Sequence, residues 1–221
     1  QVQGALDRLE REQRHDIPEK QRAIEHSRLL LLAKRWLDVE RQRSDFKVLA
    51  SEKGQKISIG NLSIRTRIDR IDELADGRYA IIDYKTGSPD PLQWLDERIT
   101  EPQLPVYCLG MDKERIGAVM FGVVRGKKKE RGFRGVARDI ESWPGASSRK
   151  MPEVIEERGW SSFEDILSHW QKSLVELGDA FAAGHAEVDP VDTKKACKYC
   201  DLKSLCRITE LLEGEGGHDD V

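Results

Sequence analysis

Long apolar runs are absent from this chain. The longest, Leu29 to Ala33, falls far short of the roughly 18 to 20 residues of a membrane span, and no signal-peptide pattern opens the sequence. The expectation is a soluble, cytoplasmic protein with no membrane partner. Glycine fingerprints are missing as well: neither a Rossmann Gly-x-Gly-x-x-Gly nor a phosphate-loop motif occurs, which sets aside the commonest nucleotide-binding folds. Charge of one sign does not dominate either, with 37 Lys and Arg against 40 Asp and Glu. Together with 38% apolar residues, that balance excludes disorder throughout. Cysteine is scarce, at four residues, and an intracellular setting argues against disulfides. An initiator Met is lacking too, so the 221 residues from Gln1 read as a fragment of a longer protein. That length suits one large α/β domain, or a domain with an appendage.

The charge that is present is unevenly placed. From Arg125 to Arg138 there are seven basic residues against one acid, Glu130, with Gly126, Gly132 and Gly135 interleaved. Such a segment reads as a loop or hairpin tip able to lie along a phosphate backbone, with Lys127, Lys128, Lys129, Arg131 and Arg134 as the DNA-binding candidates. Residues 210–221 are acidic and glycine-containing and read as a frayed tail.

Periodicity divides the rest. Residues 1–50 read as helical, because Leu29, Leu30, Leu32, Ala33, Trp36, Leu37 and Glu40 recur at three-and-four spacing. From Lys56 the period becomes two, with turns at Gly60-Asn61 and Asp76-Gly77, giving strands near 55–60, 62–74 and 78–85. Helical pieces near 91–98 and 102–110 precede a strand at 116–124, whose hairpin partner is 133–140. A helix at about 163–183 starts from a capping box of Ser161 and Glu164 and stops at Gly184. The core thus spans 51–186, followed by a cysteine-rich segment at 187–209, and the fold class is α/β with a mixed sheet flanked by helices.

Chemistry concentrates in Arg67-Ile-Asp-Arg-Ile-Asp72 and Ile81-Ile-Asp-Tyr-Lys-Thr-Gly87. Asp83 and Lys85, two apart in a strand, share a face, and a lone Asp-x-Lys would be read as a salt bridge at a strand end. Asp69 changes this, because it lies in the preceding strand of the same hairpin. A two-residue loop would set Asp69 opposite Tyr84. A three-residue loop of Ala75, Asp76 and Gly77, with Gly77 left-handed, sets it opposite Asp83. The bulged hairpin is the expectation. Two carboxylates so close call for a cation between them, and hard oxygen ligands favour Mg2+ or Mn2+.

Asp69, then Asp83-x-Lys85 in Asp-Tyr-Lys-Thr-Gly, then Gln103-x-x-x-Tyr107 resemble the RecB- and AddB-type nuclease domains of the restriction-endonuclease-like, PD-(D/E)xK superfamily. The resemblance implies metal-dependent hydrolysis of DNA, most often exonucleolytic, within a larger repair or recombination protein that works with a helicase domain or subunit. It implies metal ligation by Asp69, Asp83 and the backbone carbonyl of Tyr84, and catalytic roles for Asp69, Asp83, Lys85, Gln103 and Tyr107. Glu52 sits where the family often has a further acid. The family's metal-binding His has no match: His15 and His26 read as surface residues, so that ligand is expected upstream of Gln1. A non-catalytic DNA-binding or assembly domain that keeps the fold is the alternative.

Cys197-x2-Cys200-x5-Cys206 has metal-site spacing that fits zinc or iron-sulfur. Resemblance to the AddB-like nucleases implies a [4Fe-4S] cluster whose fourth Cys lies upstream of Gln1, since Cys108 reads as a small packing residue.

Overall fold

A computed structural model describes residues 18–146 and 151–208, together with Gln3, Gly4, Asp7, Arg8 and Glu210. His15 and all of the acidic tail beyond Glu210 lie outside the described residues.

Helix α1 (Glu19–Glu40) leads into an antiparallel meander of β1 (Phe46–Ile59), β2 (Leu62–Leu74) and β3 (Tyr79–Lys85). A short 3-10 turn at Pro91–Trp94 and helix α2 (Gln103–Leu109) then cross over to β4 (Ile116–Val123), which lies parallel to β3, and β5 (Gly132–Ala137) returns antiparallel. Helices α3 (Met151–Glu157) and α4 (Phe163–Ala182) and two short helices, α5 (Thr193–Ala196) and α6 (Lys203–Cys206), complete the chain. The five strands form one mixed sheet in the order β1-β2-β3-β4-β5. This is the α/β architecture of a restriction-endonuclease-like fold. No helix among the described residues is long and apolar enough to cross a membrane.

Alternation along β3 divides the core into two layers. Ile81 points to a front layer with Phe121, Trp94, Leu104 and Trp170, covered by α2 and α4. Ala80 and Ile82 point to a back layer with Trp36 of α1, Met120, Phe133 and Trp143. Trp36 carries α1 onto this back face, edge-on to the Tyr84 ring at 5.6 Å and tilted against Phe133 at 5.1 Å.

The β2–β3 turn is the bulged one. Leu74 N donates to Arg78 O at 2.8 Å, Gly77 N donates to Leu74 O at 2.9 Å, and Gly77 takes a left-handed φ of 80°. Pairs therefore run Glu73↔Tyr79, Asp72↔Ala80, Ile71↔Ile81 and Arg70↔Ile82. A tight two-residue turn would shift every one of these by one residue and reverse the faces.

Several features differ from the sequence reading: the helical piece expected at 91–98 is a 3-10 turn ending at Trp94, and the strand expected at 133–140 ends at Ala137. The helical segment ends at Glu40, and residues from Phe46 onward are strand. Val48 and Leu49 are half-exposed on β1, the edge strand. The cap of α4 is Ser162 with Asp165, one residue later than Ser161 and Glu164. Ser162 N donates to Asp165 Oδ2 at 2.9 Å, Asp165 N donates back to Ser162 Oγ at 3.2 Å, and Glu164 pairs with Arg138 instead. Helix α3 had no counterpart in the periodicity.

Behind the sheet lies a charged cluster. The Arg43 guanidinium bonds Glu40 at 2.9 Å and Asp72 at 2.8 Å, and Arg70 bonds Asp72 at 2.7 Å and Glu40 at 3.0 Å. Asp72 is fully buried, and Arg43 is capped by the faces of Phe46 at 3.9 Å and Trp143 at 4.3 Å. Four complementary charges share this enclosure, so each removed from water has a partner. The cluster fixes the C-terminal turn of α1 to β2.

Candidate active site

On the front face, at the C-terminal end of β3, Asp83 is buried and Lys85 two residues on is about one-third exposed. Lys85 Nζ lies 2.8 Å from Asp83 Oδ2 and donates to Gln103 Oε1 at 2.8 Å. The Gln103 amide nitrogen donates to Asp83 Oδ1 at 2.8 Å and to the Tyr107 hydroxyl at 3.0 Å, and that hydroxyl donates to the Arg67 carbonyl at 2.7 Å. Gln103 and Tyr107 sit one helical turn apart on α2, which places both on the face towards β3. The result is a continuous chain of polar contacts from Lys85 to the backbone of β2.

Asp69 joins from the other side. The regular β2–β3 pairing stops at Arg70↔Ile82, and beyond it Tyr84 N donates to Asp69 Oδ2 at 2.9 Å. The Lys85 carbonyl accepts from Val124 N, just past the end of β4, at 2.9 Å. By alternation along the strand, Tyr84 turns its own N–H and C=O towards β2, into the gap that Asp69 borders. Two carboxylates and one carbonyl oxygen therefore face a common region. Burial pushes the Asp83 carboxyl above the usual carboxylate range; Lys85 opposes this, while Asp69 and Glu101 reinforce it. Burial also raises the Tyr107 hydroxyl, with Gln103 working against it.

These donors suit a hard divalent cation. The ammonium of Lys85 already places positive charge against Asp83, as a carboxylate pair requires. Among the described residues no group of three or more His, Cys, Asp or Glu side chains surrounds one metal position, so an all-protein cage is not formed. Magnesium characteristically retains several waters, and two carboxylates with one carbonyl fit that mode.

Glu52 does not enter the site: its carboxylate pairs with the exposed Arg67 at 3.0 Å. Its backbone adopts a left-handed φ of 52° across from Asp69. His26 lies on α1, the helix that covers the back face. Cys108 is buried, bonds the Leu104 carbonyl at 3.3 Å and packs as a small residue, with burial pushing its thiol upward. Cys197, Cys200 and Cys206 are part-buried with no disulfide and do not converge on a shared metal position. The three thiols as placed do not fit a cluster. Metal analysis of this chain is accordingly expected to give less than one iron per chain and no visible absorbance; four irons would overturn that.

The basic segment leaves β4 beside the site, and its side chains divide. Arg125 donates to the Thr86 carbonyl at 3.0 Å and pairs with Glu130 at 3.0 Å. Arg131 reaches back to the Arg35 carbonyl at 3.3 Å, and Arg134 stands in β5 opposite Phe121. Lys127 and Lys129 are exposed, with Lys127 3.6 Å from Glu130, while the side chain of Lys128 lies outside the described residues. Arg70, which the sequence reading passed over, bonds the Tyr84 hydroxyl at 2.7 Å from the back face. Alternation offered the signal, since Arg70 and Tyr84 share a face on adjacent strands.

Comparison with curated protein sequences gave no match. The family model of the PD-(D/E)XK nuclease superfamily matches residues 1–207. That span takes in the mixed sheet, the bulged hairpin and the Asp83-Tyr84-Lys85 strand end, and the chain belongs to the PD-(D/E)XK nuclease superfamily.

Proposed function

We propose that the chain is a metal-dependent DNA nuclease domain that hydrolyses phosphodiester bonds. What carries the reading is the convergence of Asp69, Asp83 and the Tyr84 carbonyl at the open end of the β2–β3 pair, with Lys85 held beside them by Gln103. Asp69 and Asp83 would hold Mg2+ or Mn2+, which when bound supplies charge neutralisation at the scissile phosphate and activation of a water. Lys85 is the cation beside the carboxylates: its ammonium would orient the attacking water or meet the charge that develops on phosphate. Gln103 bonds both Lys85 and Asp83, and Tyr107 ties Gln103 to β2.

The resemblance to RecB- and AddB-type domains supports a finer reading. On that reading the domain belongs to a larger DNA repair or recombination protein and acts as an exonuclease fed by a helicase domain or subunit. In that longer protein the cysteine triplet would take a fourth Cys to hold a [4Fe-4S] cluster, which the three thiols of this chain do not prearrange.

The test is cleavage of linear single- and double-stranded DNA with Mg2+ or Mn2+, against the same reaction in chelator. Shortened products that appear only with metal support the reading, and intact DNA under all conditions refutes it. Metal binding has its own readout. Calorimetry with Mn2+ is expected to show weak binding that Asp83→Ala removes, and unchanged binding in that variant would sink the ligand assignment.

A further inference from the structure

The arm formed by the far halves of β1 and β2 is charged in a way that the active site does not explain. Between Lys53 and Ile68 the chain has four basic residues, Lys53, Lys56, Arg65 and Arg67, and no acid, in a protein of net charge -3. The strand register sets Lys56 directly opposite Arg65, and both side chains are exposed. Like charges facing each other across an antiparallel pair destabilise it. Among the described residues neither has an acidic partner, and Arg67, two residues along the same strand from Arg65, has only Glu52. An arrangement that weakens the ribbon by itself becomes favourable once a polyanion lies on it.

The arm is also held in place. Its inner side buries Ile57 and Ile59, and Gly178 of α4 lets the helix approach so closely that a Cβ there would sit 2.5 Å from the Ile59 carbonyl. Asp179 caps the tip, accepting from Asn61 N at 2.8 Å and from the Asn61 side chain at 2.9 Å. The outer row of cations is therefore presented on a rigid support. The strand that carries it continues to the site, where the Arg67 carbonyl anchors Tyr107 and Asp69 follows two residues later. Across the sheet order, the arm and the β4–β5 connection lie on opposite sides of β3.

We propose that the outward face of this arm, made by Lys56, Arg65 and Arg67, binds the phosphate backbone of DNA, so that the substrate is held on both sides of the cleavage site. The proposal rests on the nuclease reading and supplies its substrate path. The ligand chemistry is that of a continuous polyanion, since the row is a line of cations without a pocket for a base.

The experiment compares the parent chain with Lys56→Gln/Arg65→Gln, and with Lys172→Gln on the exposed side of α4 as control. Affinity for fluorescent single-stranded and duplex DNA is measured without divalent metal, over a series of salt concentrations. Losing two phosphate contacts should lower the salt slope by about 2 and weaken binding on the order of tenfold near physiological salt. Thermal stability should hold or rise, since a like-charge pair is removed. Cleavage should show a raised KM with kcat retained. Unchanged affinity and slope, with the parent cleaving DNA normally, would overturn the arm proposal while leaving the nuclease reading intact, and would leave this face to solvent or to an acidic protein. A parent chain that neither binds nor cuts DNA would overturn both.

Discussion

Lys85→Ala should lower the rate of DNA cleavage on the order of a hundredfold to a thousandfold, the usual cost of removing one preorganised group that stabilises the transition state. Lys85 is expected to leave folding nearly unaffected, because its ammonium is part-exposed and lies at a strand end. DNA affinity without metal should change little, since one charge among many contributes about one unit of salt slope. Lys85→Arg should not restore the rate. The planar guanidinium cannot keep the single-point contacts that the ammonium makes with Asp83 and Gln103, at 2.8 Å each. Single-turnover kinetics at saturating DNA checks the claim. A variant that cuts within threefold of the parent would remove Lys85 from the chemistry and leave it as the salt bridge that a lone Asp-x-Lys implies.

The largest effect on stability is expected at Arg43. Its side chain is 2% exposed and bridges Glu40 and the fully buried Asp72. Arg43→Ala strands those two carboxylates with Arg70 alone and empties the space between Phe46 and Trp143. Breaking one partner out of a buried ionic cluster costs about 3–5 kcal/mol. Whole domains are stable by about 5–15 kcal/mol, so the loss is a large fraction of the total. Arg41→Ala, which removes an exposed pair with Asp38, should cost less than about 1 kcal/mol. Urea denaturation with a common m-value makes the comparison. Equal costs at Arg41 and Arg43 would show that the buried cluster adds nothing beyond a surface pair.

Much of the candidate site was legible because it rests on short-range rules. The Ala75-Asp76-Gly77 turn fixes the register as far as Arg70↔Ile82, one pair short of Asp69 and Asp83, and one helical turn relates Gln103 to Tyr107. The charged cluster was not legible, since it joins Glu40 and Arg43 to residues about thirty positions away and its members are ordinary surface types. The onset of β1 was hidden for a related reason: an edge strand leaves Val48 and Leu49 exposed, so no clean alternation marks it. The basic segment reads as uniform in sequence, and the structure divides it. Its charges are contiguous in sequence, but Arg125 and Arg131 are spent on backbone carbonyls. Arg70 shows the complementary miss, a residue whose value appears only when Tyr84 is seen to share its face.

The parallel contact between β3 and β4 bears on the order in which the molecule assembles. Strands β2 and β3, which carry Asp69 and Asp83, are joined by a three-residue turn, so closing that loop costs little chain entropy. Tyr79 and Ile116 pair only after a crossover that contains α2, which makes theirs a high-separation contact of the kind that slows folding. The meander is therefore expected to form in the folding transition state, with φ-values at Ile71 above those at Val136 of β5. Two repelling carboxylates would then be brought together before α2 delivers Gln103, and before β4 closes the sheet beside Lys85. A nascent chain would thus face its least favourable electrostatics midway through folding, when divalent cations in the surroundings would ease the approach and speed the remaining steps.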